Sequence, residues 1–291
     1  MDQIVFITGG ARGIGAKTAE TLVAKGAKVI LTDVDQQALD ASAAALGEDN
    51  ALAIAADVTD LAAMEAAVAA GVERFGGIDT VLANAGIASY GSVLQTDPET
   101  FKRVIDINIT GVFNTVRAAL PTVIERKGYV LVVSSLAAFA AAPGLAAYNA
   151  SKAGVEHFAN ALRLEVKYQG VDVGSAHMSW IDTPLVQDAK NDLPSFREML
   201  RRMPFPLNKT TTVEGCANAF VRGIENRSRH VYWPSWVLGA ALNRGVINSA
   251  AGAVPVLRYV PELLPKMDAE VEALGRATSA RNVNEAGPKL T

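Results

Sequence analysis

The sequence predicts a single-domain α/β fold in which helices doubly wind a parallel sheet, followed by a helical, partly apolar C-terminal extension. Three observations carry this reading. Short apolar runs of strand length alternate with stretches of helical period. The first run leads directly into a glycine-spaced turn and then a helix. Capping residues and prolines stand where the later helices begin.

QIVFIT, starting at Gln3, reads as a buried parallel strand. Beyond it Ile14, Thr18 and Leu22 recur at four-residue spacing on one helical face, and Gly26 stops that helix before Lys28 opens KVILTD. A βαβ unit of Rossmann type is thus complete within the first 33 residues. Asp35 caps a helix to about Leu46, ALAIAA is the third strand, and Thr59 or Asp60 caps a helix to about Phe75. TVLANAG is the fourth strand. Thr96-Asp97-Pro98-Glu99 then starts a long helix past Pro121, where the missing N–H is expected to kink or end it. YVLVVSS and VDVGSAH are the fifth and sixth strands, and six strands separated by helices require right-handed crossovers covering both sheet faces. After His177 the pattern loosens. Four prolines punctuate residues 184–212, where Leu185, Val186, Phe196, Met199 and Met203 suggest a lid or substrate loop. Val213 to Glu225 resumes as a helix, and Arg229 to Trp233 is a last strand.

Composition narrows the function classes. Half of the 291 residues are hydrophobic and a fifth are charged, as in a globular protein with a large core. With 27 Lys+Arg against 30 Asp+Glu and no basic block, nothing points to nucleic acid, so small-molecule chemistry is the better expectation. Cys216 has no partner for a disulfide or a zinc site, and the chain enters its first strand without a leader-like segment. Both features predict the cytoplasm. Residues 236–260 are apolar but carry Asn243, Arg244, Asn248, Pro255 and Arg258, which argues against a membrane span. With Trp233 and Trp236, that stretch could contact a membrane surface peripherally, but packing on the domain or another subunit is the preferred reading.

The turn Thr8-Gly9-Gly10-Ala11-Arg12-Gly13-Ile14-Gly15 lies at a strand-to-helix junction, where backbone N–H groups and the helix dipole favour a diphosphate. Asp33, at the end of the second strand, can accept hydrogen bonds from the adenosine ribose and repel a 2′-phosphate, which favours NAD over NADP. Arg12 opposes that preference, because it could pair with a 2′-phosphate; otherwise it is a solvated arginine at a helix start. Asp57 either bonds the adenine amino group or caps the turn after the third strand.

Tyr148 and Lys152 stand four apart in YNASK and share a helix face, with Ser135 thirteen residues before Tyr148 at the end of an apolar strand. With TGGARGIG, Asp57-Val58, Asn84-Ala85-Gly86 and Asn108, these motifs occur in the order and spacing of a known family. From about Gln3 to Tyr232 the sequence resembles the classical short-chain dehydrogenase/reductase family. That resemblance implies that Tyr148 transfers the proton, that Ser135 bonds the substrate oxygen and that Lys152 holds the nicotinamide ribose. Asn108 would retain a relay water, or else simply bond helix backbone. Gly9, Arg12, Gly13, Ile14, Gly15, Asp33, Asp57, Val58, Asn84, Gly86, Ile181 and Thr183 would line or shape the cofactor site. The resemblance also implies residues 1–233 as the dinucleotide-binding and catalytic domain, 234–291 as an extension, and a homodimer or homotetramer built on the helix ending near Pro121 and the one bearing Tyr148.

One departure stands out. Met178-Ser179 occupies the place of the family's usual Pro-Gly ahead of Ile181 and Thr183. The chemistry expected is hydride transfer between NAD(H) and a secondary alcohol or ketone, bulky and apolar in the steroid-like or lipid-derived sense. The alternatives are an NADP-dependent 3-oxoacyl-thioester reductase and a non-catalytic dinucleotide sensor. His157, His177 and His230 lack ligand spacing, so no metal is expected.

Overall fold

The computed structural model describes residues 3–284. Its strands are β1 (Ile4–Thr8), β2 (Lys28–Asp33), β3 (Ala51–Ala55), β4 (Thr80–Ala83), β5 (Tyr129–Val133), β6 (Asp172–Met178) and β7 (His230–Trp233). All pair in parallel in the order β3-β2-β1-β4-β5-β6-β7. The connecting helices are α1 (Gly13–Val23), α2 (Gln36–Leu46), α3 (Leu61–Phe75), α4 (Pro98–Ile105), α5 (Gly111–Glu125), α6 (Ala146–Val166), α7 (Pro184–Asp192), α8 (Pro194–Arg202) and α9 (Val213–Glu225). Beyond β7 follow α10 (Val237–Leu242), α11 (Arg244–Ile247), α12 (Ala250–Leu257), α13 (Val260–Leu274) and α14 (Ala280–Asn284).

Strand alternation divides the core into two layers. Val5 and Ile7 of β1 face the side covered by α1 and α9, with Leu22 and Phe220, whereas Phe6 faces Met64, Val116 and Val155 on α3, α5 and α6. Each such fully buried large side chain stabilises the fold by about 1.5–3 kcal/mol. Cys216, a smaller side chain, is fully buried in the layer of Val5 and Ile7. Start signals act as chemistry demands. The Asp35 carboxylate accepts the Ala38 amide at 2.9 Å, and Asp97 accepts that of Thr100 at 2.8 Å. Asp60 rather than Thr59 caps α3, accepting the Ala62 amide at 2.9 Å.

The helix expected from Thr96 past Pro121 differs in two respects. One wide π-helical turn, Asp106–Thr110, separates α4 from α5, and Pro121 lies inside α5 without ending it. Losing one backbone bond at Pro121 is offset because Val116, Ala119 and Val123 are buried against the sheet on either side of it. The stretch 184–212, read from its prolines as a loop, holds α7 and α8, with Pro184 and Pro194 in their first turns, where a missing N–H costs nothing.

These two helices and the extension form a third apolar cluster. Val186, Leu193, Phe196 and Met199 pack with Leu263, Met267 and Val271 of α13. Polar links reinforce it: Arg202 reaches Glu262 at 2.6 Å, Arg276 pairs with Asp192 at 2.7 Å, and the Ser195 amide donates to Glu270 at 3.0 Å. In α10–α12, Leu242, Val246 and Leu257 are exposed. Among the described residues no helix is long and apolar enough to cross a membrane.

Candidate active site

Strand order places the site. Crossovers from β1 run toward β3 and those from β4 toward β7, so a crevice opens between the carboxyl ends of β1 and β4. The glycine-rich turn forms its floor. Gly9 and Gly13 have φ of +65° and +56°, a region that side chains disfavour. A Cβ on Gly15 would lie 2.1 Å from the Gly9 carbonyl oxygen, so Gly15 permits α1 to start against the turn. Gly9, Arg12, Gly13 and Ile14 line the cleft, while Gly15 packs behind it. Asn84 braces the turn by donating to the Thr8 and Gly9 carbonyls at 2.9 and 3.2 Å.

At one end of the cleft Asp33 is held by the Ala11 amide at 3.1 Å and the Val34 amide at 2.9 Å. Arg12 pairs with Asp35, whose carboxyl the Ala38 amide and this guanidinium hold below its ordinary range. Asp57 accepts both the amide and the hydroxyl of Thr59 at 2.8 Å, so it does cap its turn, yet Asp57 and Val58 also line the cleft.

At the other end stand the proton-handling candidates. Asn108 sits in the π turn, fully buried; its Oδ1 accepts the Ile87 amide and its Nδ2 donates to the Ile87 carbonyl and to Ser151 Oγ, all at 2.9 Å. It therefore ties loop backbone, rather than helix backbone, to α6. A Cβ on Gly86 would approach Asn108 Oδ1 to 3.1 Å and Lys152 Nζ to 3.3 Å, so a side chain there would crowd both. Lys152 Nζ donates to the Val133 carbonyl at 3.0 Å and lies 5.5 Å from the Tyr148 ring centroid. Burial pulls the ammonium down to about 8. Burial pushes the Tyr148 phenol up, and a hydrogen bond with Ser135 partly opposes that rise. The phenol is thus protonated at neutral pH, and the Ser135 hydroxyl favours its ionisation against the effect of burial. Ser135 is itself placed by the Ala137 amide, which donates to its Oγ at 3.1 Å.

A second cavity, of about 130 Å³, adjoins the cleft. It is walled by Ala88, Leu136, Ala140, Leu145, Trp180 and Phe196, the last two packed edge to face at 5.4 Å, and it receives Ser135 and Ile181. Tyr148, Ile14, Met178 and Thr183 border both cavities. The Met178-Ser179 backbone is accommodated without strain, the Ser179 amide donating to the Trp233 carbonyl at 3.0 Å and neither residue having a positive φ, while the Ser179 hydroxyl is buried with no hydrogen-bond partner among the described residues.

Residues without motif value also reach the cleft: Tyr90, Arg103, Asp188 and, from the far end of the chain, Ser279, Arg281 and Asn282. Sequence spacing carries no trace of them. Nor does it pair His177 with His230, which adjacent strands bring onto one hydroxyl, Ser175 Oγ, at 3.0 and 3.1 Å. Burial lowers His177 to about 4, so it is a neutral core residue.

Known proteins resemble this chain in sequence and in fold. The short chain dehydrogenase family profile matches residues 3–194. A trans-4-hydroxycyclohexanecarboxylate dehydrogenase from Sinomonas cyclohexanicum is 34% identical over 197 residues, spanning 65% of this chain and 76% of its own. A 3-alpha-(or 20-beta)-hydroxysteroid dehydrogenase of Mycobacterium tuberculosis is 30% identical over 255 residues, 87% of this chain and 94% of the relative. A solved 3-ketoacyl-(acyl-carrier-protein) reductase of Brucella melitensis, complexed with NADH, superposes with a TM-score of 0.71 at 27% identity, over 79% of this chain and 96% of that one. A short-chain dehydrogenase/reductase of Burkholderia phymatum in complex with NAD has the same fold, with a TM-score of 0.74 at 21% identity, over 84% and 94% of the two chains. The family profile spans the glycine turn, Ser135, Tyr148 and Lys152, and this chain belongs to the short-chain dehydrogenase/reductase family of NAD(P)(H)-dependent oxidoreductases.

Proposed function

We propose that the protein transfers hydride between NAD(H) and an apolar secondary alcohol or ketone, with Tyr148 as the proton donor in reduction. One observation carries the reading: Tyr148 borders both the cleft lined by the glycine turn and the apolar chamber lined by Ser135, and its ring lies beneath the Lys152 ammonium. The residues present fit a dinucleotide. A positive-φ glycine turn at a helix N-terminus suits the diphosphate, Asp33 suits the adenosine ribose, and Lys152 stands where ribose hydroxyls would need a donor. The bound nicotinamide supplies or accepts the hydride. In reduction Ser135 orients the carbonyl oxygen and the Tyr148 hydroxyl delivers a proton to it, both from fixed positions in a sheltered site.

Support for NAD over NADP comes from Asp33 at the cleft and from Arg12, which Asp35 engages. A 2′-phosphate beside Asp33 would meet like charge. As to substrate, an engineered cavity of roughly 150 Å³ admits benzene, so a chamber of about 130 Å³ suits a single-ring or short apolar carbonyl. A steroid-sized or lipid-derived ketone would have to extend beyond that chamber. Association through α5 and α6, as a dimer or tetramer, is supported by the exposed Phe113 and Leu164 on those helices, and light scattering at micromolar concentration tests it.

Tyr148→Phe tests the central assignment. It keeps the aromatic volume, so NADH binding should survive, while reduction of a panel of cyclic, steroid and acyl-thioester ketones should fall by roughly a thousandfold, the range of general acid catalysis. Ketone reduction by Tyr148→Phe at near wild-type rate would remove the proposed proton donor. NADH binding without turnover by wild type as well would identify a dinucleotide sensor instead.

A further inference from the structure

Residues 276–282 cross the mouth of the cofactor cleft, and both of its walls hold them. On the wall that follows β4, the Tyr90 amide donates to the Ala277 carbonyl at 2.7 Å, and Thr278 Oγ1 donates to the Ala88 carbonyl at 3.0 Å. On the α7 wall, Arg276 grips Asp192 with two bonds of 2.7 and 2.9 Å, and Arg281 reaches Asp188 at 3.4 Å. Ser279 and Asn282 are buried between these walls while lining the cleft.

The position of Arg281 relative to the glycine turn is informative. A Cβ on Gly13 would lie 3.6 Å from Pro184 Cδ, so the first turn of α7 stands over the seat for a diphosphate. Asp188 is one helical turn further along the same helix and faces the same cleft. Alone, that carboxylate would repel a diphosphate. Arg281 neutralises it with a guanidinium whose contact is long, about a third exposed and, unlike that of Arg276, made by a single nitrogen.

We infer that residues 276–282 form a strap completing the cofactor site, in which Arg281 moves from Asp188 onto the cofactor's diphosphate once the dinucleotide is seated. This inference rests on the dinucleotide reading of the cleft and adds a charge contributed by the chain's far end. A planar guanidinium matches diphosphate oxygens in pairs, and its contact with Asp188 is the weaker of the strap's two ion pairs. Arg276 remains on Asp192 as the anchor.

The test is binding by the full chain. NADH is followed by fluorescence, with ADP-ribose and adenosine as competitors. Arg281→Ala should weaken NADH and ADP-ribose by about tenfold and leave adenosine unchanged, because only the first two carry the diphosphate. Arg281→Lys, which keeps the charge, should recover part of the loss. Unchanged ADP-ribose binding by Arg281→Ala overturns the inference, as does an equal loss for adenosine, which would mark Arg281 as merely structural. Failure of wild type to bind NADH at all would instead overturn the dinucleotide reading, and the strap's role with it.

Discussion

Lys152→Met should make the unliganded protein more stable at neutral pH while abolishing its proposed function. Lys152 is buried, and the fall of its ammonium from 10.5 to about 8 reflects that burial alone. A displacement of that size costs the folded protein about 3 kcal/mol when the lysine is charged in both states. Methionine fills a similar volume without the charge but gives up the bond to the Val133 carbonyl, worth about 1 kcal/mol. The net expectation is a gain of about 2 kcal/mol at pH 7. Its pH dependence identifies the cause. Between about 8 and 10.5 the unfolded chain holds a proton that the folded chain has released, so wild type gains stability as pH rises through that window. The variant's advantage should therefore shrink by about 2 kcal/mol from pH 7 to pH 9.5. Urea unfolding of both proteins at the two pH values, without cofactor, measures it. A variant less stable than wild type at pH 7, or an advantage that ignores pH, would refute the claim that Lys152 is held charged at a cost.

Two further expectations use neighbouring chemistry. Asp33→Asn keeps an acceptor for the Ala11 amide but removes the charge, so NADH should bind about tenfold more weakly and NADPH no worse than before; an unchanged NADH-to-NADPH ratio would clear Asp33 of selectivity. His177 is held near 4 by burial against an unfolded value of 6.5, so its stabilising contribution is complete above 6.5 and is lost as pH falls toward 4. His177→Gln should spare the protein about 2 kcal/mol of the stability lost between pH 7 and pH 5, as read by urea unfolding, and identical acid losses in the two proteins would assign that loss elsewhere.

Local rules made much of this molecule legible. Strand runs, caps at Asp35 and Asp97, and the glycine turn act through neighbours in sequence, so their positions could be read directly. Tyr148 and Lys152 could be paired because helical period puts residues four apart on one face. Parallel pairing demands crossovers, so even the winding of the sheet followed from the alternation of elements. The π turn was not legible, because its wide geometry is rewarded only by tertiary bonds from Asn108 to Ile87 and Ser151. The continuation of α5 through Pro121 depends likewise on burial against the sheet, which overrides a residue that breaks an isolated helix. Register between β6 and β7 put His177 and His230 on one hydroxyl, and α13 packing under α8 carried Ser279 and Arg281 to the cofactor cleft. The sequence by itself determined the strands, the nucleotide turn and the Tyr148–Lys152 face, since each depends on spacing along one segment. Only the tertiary structure decided the size of the apolar chamber and which distant residues line the cleft, since both depend on surfaces meeting across nearly two hundred residues of chain.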